Sequence, residues 1–370
     1  MFSLNILEPN FLGSFLISIG LRKKFKVYIA LIIIICSCKN SKNIEVPLIK
    51  MDGIEILKDE VGVSSFYTFQ DYVLLKMNKK VGYGLALYHK SNLEKPLARF
   101  APFGEGPDEW GAIRVNGQTL SKNGTNYLVL NDGFKYRVRL LNLDRLIKDS
   151  VEVYDYTYDI DSKHGLSQSI TFLNDSIIVS TPGIDSKEFG RLKFYNLKAD
   201  SSWVSDLFPQ VLDQNLSPFD FYSLYFSYIH VNEGSKKIAS SMDAFDRIDI
   251  FDFNGNLENS YLGESDHYIT ENPKLKEEGT FPPYPVYYKY STSSPNHIYG
   301  LYYNQLNVEI EQKEIQPLIK VIDWEGNLVA NLLVDEYLSN IEVYKDESFL
   351  IGIDKVNEKI MLYDLKKVLL

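Results

Sequence analysis

Short apolar strings recur along this chain at a nearly regular interval. They are Tyr72-Val-Leu-Leu75, Tyr127-Leu-Val-Leu130, Ile177-Ile-Val-Ser180, Lys237-Ile-Ala-Ser240, Ile298-Tyr-Gly-Leu301 and Phe349-Leu-Ile-Gly352. Their starts, at residues 72, 127, 177, 237, 298 and 349, lie 50 to 61 residues apart. After a turn, each string gives way to a stretch in which apolar and polar positions alternate, as in Tyr136–Asn142, Arg247–Phe253 and Ile319–Trp324. Successive side chains of a strand point to opposite faces, so a period of two marks β-strands. Polar turns such as Asn254-Gly255-Asn256 and Glu325-Gly326-Asn327 then lead into a further strand, which is the hairpin signature. No stretch after Cys38 keeps a helical period for more than about three turns. Six repeats of about 55 residues, each worth four short strands, predict an all-β fold, a six-bladed β-propeller. A pair of β-sandwiches or a solenoid is the alternative for the same strands. A propeller ring has to close, because an incomplete blade leaves an unpaired edge. The last repeat supplies only Ile341–Tyr344, Phe349–Ile353 and Lys359–Leu365, so its outer strand is expected from the N-terminal segment, at Ile54–Leu57.

Upstream of the repeats, Arg22, Lys23, Lys24 and Lys26 precede an apolar run from Val27 to Ile35 that ends at Cys36-Ser37-Cys38. A basic segment followed by 7–15 apolar residues is the layout of a secretory signal. Such a run is too short to span a bilayer, which takes about 20 residues. The cleavage end looks like a lipobox. Small Ser37 before Cys38 makes Cys38 the expected lipidated residue, and bulky Ile35 disfavours Cys36. A plain signal peptide with incidental cysteines is the alternative. Glu8 and Pro9 precede the basic cluster, where a signal has no place for them, and a true start near Leu21 would account for residues 1–20. The expected division is a signal peptide at 1–37, a lipidated tether at 38–50 and the propeller at 51–370. The tether lacks the acidic run that often follows the cysteine of surface-exported lipoproteins. The expected place is therefore the cell envelope, anchored by lipid to the outer membrane on its periplasmic face.

Composition narrows the chemistry. Lys and Arg total 39 against 49 Asp and Glu, a net charge of −10, which offers no electrostatic footprint for nucleic acid. The 26 Tyr, 21 Phe and 3 Trp are far more than a disordered chain carries. The 2 cysteines, Cys36 and Cys38, both precede the repeats, which excludes a disulfide scaffold, a cysteine zinc site and a thiol nucleophile in the folded part. His89, His164, His230, His267 and His297 are scattered, with no pair at metal-ligand spacing, and no Gly-x-Ser-x-Gly elbow supports a serine hydrolase. No cofactor and no metal are expected, and the chain reads as a monomer.

The stretch Arg99-Phe-Ala-Pro-Phe-Gly-Glu-Gly-Pro-Asp-Glu-Trp110, followed by Tyr127–Gly133 and Arg137–Leu140, is similar to an NHL-type propeller repeat. With the lipobox, the Phe103–Glu109 loop resembles the TolB-like six-bladed β-propeller lipoproteins of Gram-negative bacteria, which often have Gly where this chain has Asp108. The resemblance implies a non-enzymatic envelope protein and supplies no ligand. In a propeller, the loops entering each first strand and the turns between second and third strands share one face. Here that face collects the longest connections, where function usually concentrates. Its candidate binding residues are Glu105, Glu109, Trp110, Asp132, Phe134, Tyr284 and Tyr287. Glu105 and Glu109 could point into the axial channel, or Glu109 could satisfy backbone N–H groups of its own connector. Two aromatic segments, Phe208–Tyr228 and Phe281–Tyr290, read either as binding surface or as packing between blades. The expected function is a non-catalytic binding module for an envelope protein or glycan. The alternative is a calcium-dependent propeller hydrolase or lactonase, with Glu105, Asp132, Asp243 and Asp246 converging as oxygen ligands.

Overall fold

Each of the six apolar strings forms the second of four antiparallel strands in a blade, with neighbours on both edges and other blades on both faces. That position explains their composition: Val73, Leu74 and Leu75 are all fully buried, so no residue of the string needs to be polar. The structure is a computed structural model, and it describes residues 46–370 apart from 167–169, 184, 185, 187, 207, 208, 210–217, 264–284, 307–309, 311–315, 355, 367, 369 and 370. Cys36, Cys38 and Tyr284, and with them the proposed signal and lipid site, lie outside the described residues.

The sheets follow one another along the chain. Blade 1 holds β3 to β6 (Val63–Phe69, Tyr72–Met77, Tyr83–His89, Ala98–Pro102) and blade 2 holds β7 to β10 (Ile113–Lys122, Thr125–Asp132, Arg137–Asn142, Tyr154–Asp159). Blade 3 holds β11 to β14 (Thr171–Phe172, Ile177–Ser180, Lys193–Asn196, Ser201–Val204) and blade 4 holds β15 to β18 (Ser227–Asn232, Lys237–Met242, Arg247–Asp252, Leu257–Leu262). Blade 5 is built on β19 to β22 (Pro285–Ser293, His297–Leu306, Leu318–Asp323, Leu328–Val334) and blade 6 on β23 to β25 (Asn340–Val343, Phe349–Asp354, Lys359–Asp364). The first strand of every blade touches those of the blades before and after it, and β23 touches β3, so the ring closes into a six-bladed β-propeller. Apolar cores lie in the seams between neighbouring blades, as where Leu74 and Leu85 of blade 1 meet Val115 and Leu128 of blade 2.

The chain before Val63 stitches the last two blades. Strand β2 (Ile54–Ile56) pairs antiparallel with β25, Ile54 opposite Leu362, and is the outer strand of blade 6. Strand β1 (Leu48–Met51) lies parallel on β22, Leu48 opposite Asn331, as a fifth strand of blade 5. The end of the expected tether is therefore sheet rather than linker. Between the two strands, the Gly53 N–H donates to Asp335 Oδ2 (3.1 Å) while the Tyr363 hydroxyl donates to Asp335 Oδ1 (3.0 Å).

The third strands alternate as their sequences do, but their polar members do not face water. Arg139 of β9, Asp249 of β17 and Lys320 of β21 are 6%, 0% and 7% exposed, and each meets partners in a seam. The Arg139 guanidinium lies 5.2 Å from the Trp110 ring and 5.1 Å from the Tyr154 ring. Asp249 accepts from Arg191 of the blade 3 turn (3.3 Å) and from Arg247 (2.8 Å). Lys320 donates to Asp246 of blade 4 (3.1 Å) with its ammonium 3.4 Å from the Tyr302 ring centroid.

Candidate functional site

Antiparallel order puts the start of each first strand and the turn between second and third strands at one rim, here called the entry rim. The connections 103–112 and 218–226 reach it as entries into β7 and β15, and 133–136, 188–192 and 243–246 as turns. Among the described residues, the four large exposed aromatics all belong to this rim: Phe134 (66% exposed), Tyr136, Phe189 and Phe219.

The candidate residues separate there. Glu105 and Phe134 are exposed, and the Lys79 ammonium sits 5.5 Å from the Phe134 ring centroid. Glu109 does not reach the channel. Its carboxylate turns back to accept from the Gly106 N–H (2.8 Å), and a Cβ at Gly104 would stand only 1.9 Å from Glu109 Oε2. The loop is thus wrapped around its own acid, which is why glycine stands at 104. The Lys135 ammonium ties it down through the carbonyls of Gly106 (2.9 Å) and Glu109 (2.8 Å). Trp110 is 1% exposed, packed against Tyr154 with the ring centroids 5.8 Å apart. Tyr287 is 2% exposed and packs with Ile248 and Ile250 in the seam between blades 4 and 5. Both rings were expected on the binding face and are core instead, because a large ring at a strand entrance finds more apolar contact in the seam than at the rim. Asp132 is likewise buried, its carboxylate accepting from the N–H groups of Gly111, Ala112, Phe134 and Lys135, so it shapes the connector and turn.

The four carboxylates considered for calcium do not converge. Asp132 is spent on backbone in blade 2, Glu105 is exposed on the connector before it, and Asp243 and Asp246 belong to the turn of blade 4. Asp246 accepts from Lys320 and from the hydroxyls of Tyr288 (3.1 Å) and Tyr302 (3.0 Å). Among the described residues, no three His, Cys, Asp or Glu side chains gather in a group able to hold a metal ion.

What the ring does assemble is an axial channel with a cavity of about 380 Å³, walled by the first strands of blades 1, 2, 4, 5 and 6. One wall is aromatic. Tyr222, Phe226, Tyr228 and Tyr290 follow one another with ring centroids 6.1, 5.2 and 5.0 Å apart, and the Tyr228 hydroxyl is fixed by donation to the Lys289 carbonyl (2.6 Å). Burial raises the pKa of Tyr67 and Tyr290, so these phenols stay protonated. Deeper in, Glu342 accepts from the Thr68 N–H (3.1 Å), from the Thr68 hydroxyl (3.3 Å) and from the Thr292 hydroxyl (2.8 Å). Burial nevertheless pushes its carboxyl above the usual range. His230, its Nε2 at 2.7 Å from Ser291 Oγ, is pushed down to about 3 by burial and by the Lys345 ammonium, so the ring is neutral.

Of these residues, Tyr222, Phe226, Tyr228 and Tyr290 stood in the two aromatic segments of the sequence, and His230 stood only among its scattered histidines. Arg114, Lys289, Glu342 and Lys345 carried no motif. Their one signal is polarity on innermost strands, as in Ser291-Thr292-Ser293 of β19, where an ordinary buried strand would be apolar.

The fold and channel define a six-bladed β-propeller with a polar and aromatic axial pocket, an architecture suited to binding or interaction. No family model and no curated protein match the chain. Among solved structures, a member of the DUF4221 family from Bacteroides vulgatus superposes with a TM-score of 0.55 at 11% identity, over 86% of this chain and 97% of that one. The β-propeller domain of Cps50 (Swd1) from Myceliophteria thermophila gives a TM-score of 0.43 at 11% identity, over 84% of this chain and 98% of that domain. At these identities the likeness is one of fold.

Proposed function

We propose that this protein is a lipid-anchored, non-catalytic binding module of the cell envelope, holding a protein or glycan at its entry rim and axial channel. One observation carries the reading: the exposed aromatic residues of the described chain gather on the rim to which the channel's Tyr222 and Phe226 belong. Aromatic side chains give large contact area for little lost rotamer freedom, and binding hot spots are rich in them. The lipobox-like Cys36-Ser37-Cys38 and the resemblance to TolB-like lipoproteins support the anchor.

Two measurements test it. Cys38→Ala, but not Cys36→Ala, should release the protein from membranes, because stable anchoring needs more than one acyl chain and only Cys38 follows a small residue. Equal membrane retention of Cys38→Ala and wild type would sink the anchor. For binding, Phe134→Ala and Phe189→Ala should lose partners captured from envelope membranes while melting as wild type does. A rise in melting temperature on titration with calcium would instead favour the hydrolase, since a ligand of the native state stabilises it by mass action.

A further inference from the structure

We propose that the axial channel is a binding site for an acidic saccharide, a sugar ring bearing a carboxylate. The inference rests on the binding-module reading and names its ligand class. Charge is the first ground. The whole chain carries −10, yet its channel is lined by Lys76, Arg114, Lys289 and Lys345 against a single carboxylate, Glu342. Arg114, Lys289 and Lys345 are exposed. Glu342, held in place by Thr68 and Thr292, offsets one of these charges, and the lining cations still outnumber it four to one. His230 is neutral and adds no charge of either sign. A cleft of one sign in a protein of the other concentrates ions opposite to the cleft.

Shape and wall chemistry choose among anions. Inorganic phosphate would need the cations alone. The channel also offers the Tyr222–Tyr290 aromatic wall, on which the C–H face of a sugar packs, and polar groups in Ser65, Ser291 and Asn340, two hydroxyls and an amide that suit a polyhydroxylated ring. The volume of about 380 Å³ lies within the range of small-molecule sites, about 300–1,000 Å³. An acidic peptide would use the cations but would leave the hydroxyl wall unmatched.

Calorimetry on the purified full chain decides the matter, with trigalacturonate, its neutral counterpart trigalactose, inorganic phosphate and a glutamate hexapeptide as probes. The expected result is that trigalacturonate binds tightest, about tenfold or more above trigalactose, and weakens as sodium chloride rises. Lys289→Gln, an exposed substitution that should leave melting unchanged, should lower trigalacturonate affinity about tenfold and leave trigalactose binding unaltered. Tyr228→Ala should weaken both sugars. Equal binding of trigalacturonate and trigalactose overturns the charge argument, and preference for phosphate or the hexapeptide overturns the sugar argument. No binding by any probe to a folded protein overturns the site. In each of these cases the rim variants that lose captured partners would still support the binding module, so the two failures can be told apart.

Discussion

Asp249 shows at the scale of one residue how the seams work. It is fully buried with Arg191, which is also fully buried, and takes further bonds from Arg247 and from the Ser260 hydroxyl (2.7 Å). Charges in such a place are tolerable only while paired, and removing one partner strands the other. Asp249→Ala should therefore lose about 3–5 kcal/mol of unfolding free energy in denaturant titration, and a value under 1 would mean the seam relaxes or takes in water. The same logic separates the two aromatic candidates: Trp110→Ala should lose about 3–5 kcal/mol, and Phe134→Ala should stay within about 0.5 kcal/mol. Glu347 gives a pH signature. Burial alone would raise its carboxyl, but hydrogen bonds from His297, Ser294 and Asn296 outweigh burial and lower it from 4.5 to about 2. A depressed carboxylate stabilises the fold above its unfolded pKa and loses that contribution as pH falls through the folded one. Melts of wild type and Glu347→Gln should thus differ most above pH 5 and converge between about pH 4.5 and 2, a span worth at most about 3 kcal/mol. A constant gap down to pH 2 would contradict the assignment.

At the scale of elements, the turns after the third strands of blades 4 and 5 repeat one device. Asp252 Oδ1 accepts from the N–H groups of Asn254 and Asn256, and Asp323 Oδ1 from those of Glu325 and Asn327. Gly255 and Gly326 take the left-handed conformation the turn demands, at φ 91° and 85°. Gly326→Ala should lose about 1–2 kcal/mol in thermal or chemical unfolding, and no loss would show that the turn can adopt another form. Elements of this kind were legible because each carries its own cause, an Asx-Gly turn or an apolar central strand. The rest was not. Leu48–Met51 is four residues with one buried side chain, and nothing in so short a string marks a parallel partner at Asn331. The alternation Arg247-Ile-Asp249 marked a strand but not its partners: a neighbouring blade covers Asp249 and brings Arg191 as counter-charge. The candidate site was less legible still. Tyr228, Tyr290 and Glu342 meet across three first strands more than 50 residues apart, and only ring closure brings them together.

At the scale of the whole molecule, the ring depends on its first strands in sequence. Deleting residues 44–58 removes β1 and β2 together, baring β22 and β25. The expected outcome is a lower melting temperature with a broadened transition of the entire propeller; an unchanged midpoint and cooperativity would show that closure does not need them. The stitch also sets a clock. Ile54 pairs with Leu362, so β2 waits for a partner made about 300 residues later. At about 5–20 residues per second that wait is on the order of 15–60 s. During it the first blades can form from local hairpins, but the ring stays open. Contacts between chain positions this distant in sequence are the slow ones to form. The ring stays open until β25 has been made, and a refolding experiment started from the unfolded chain should show ring closure as its slowest step.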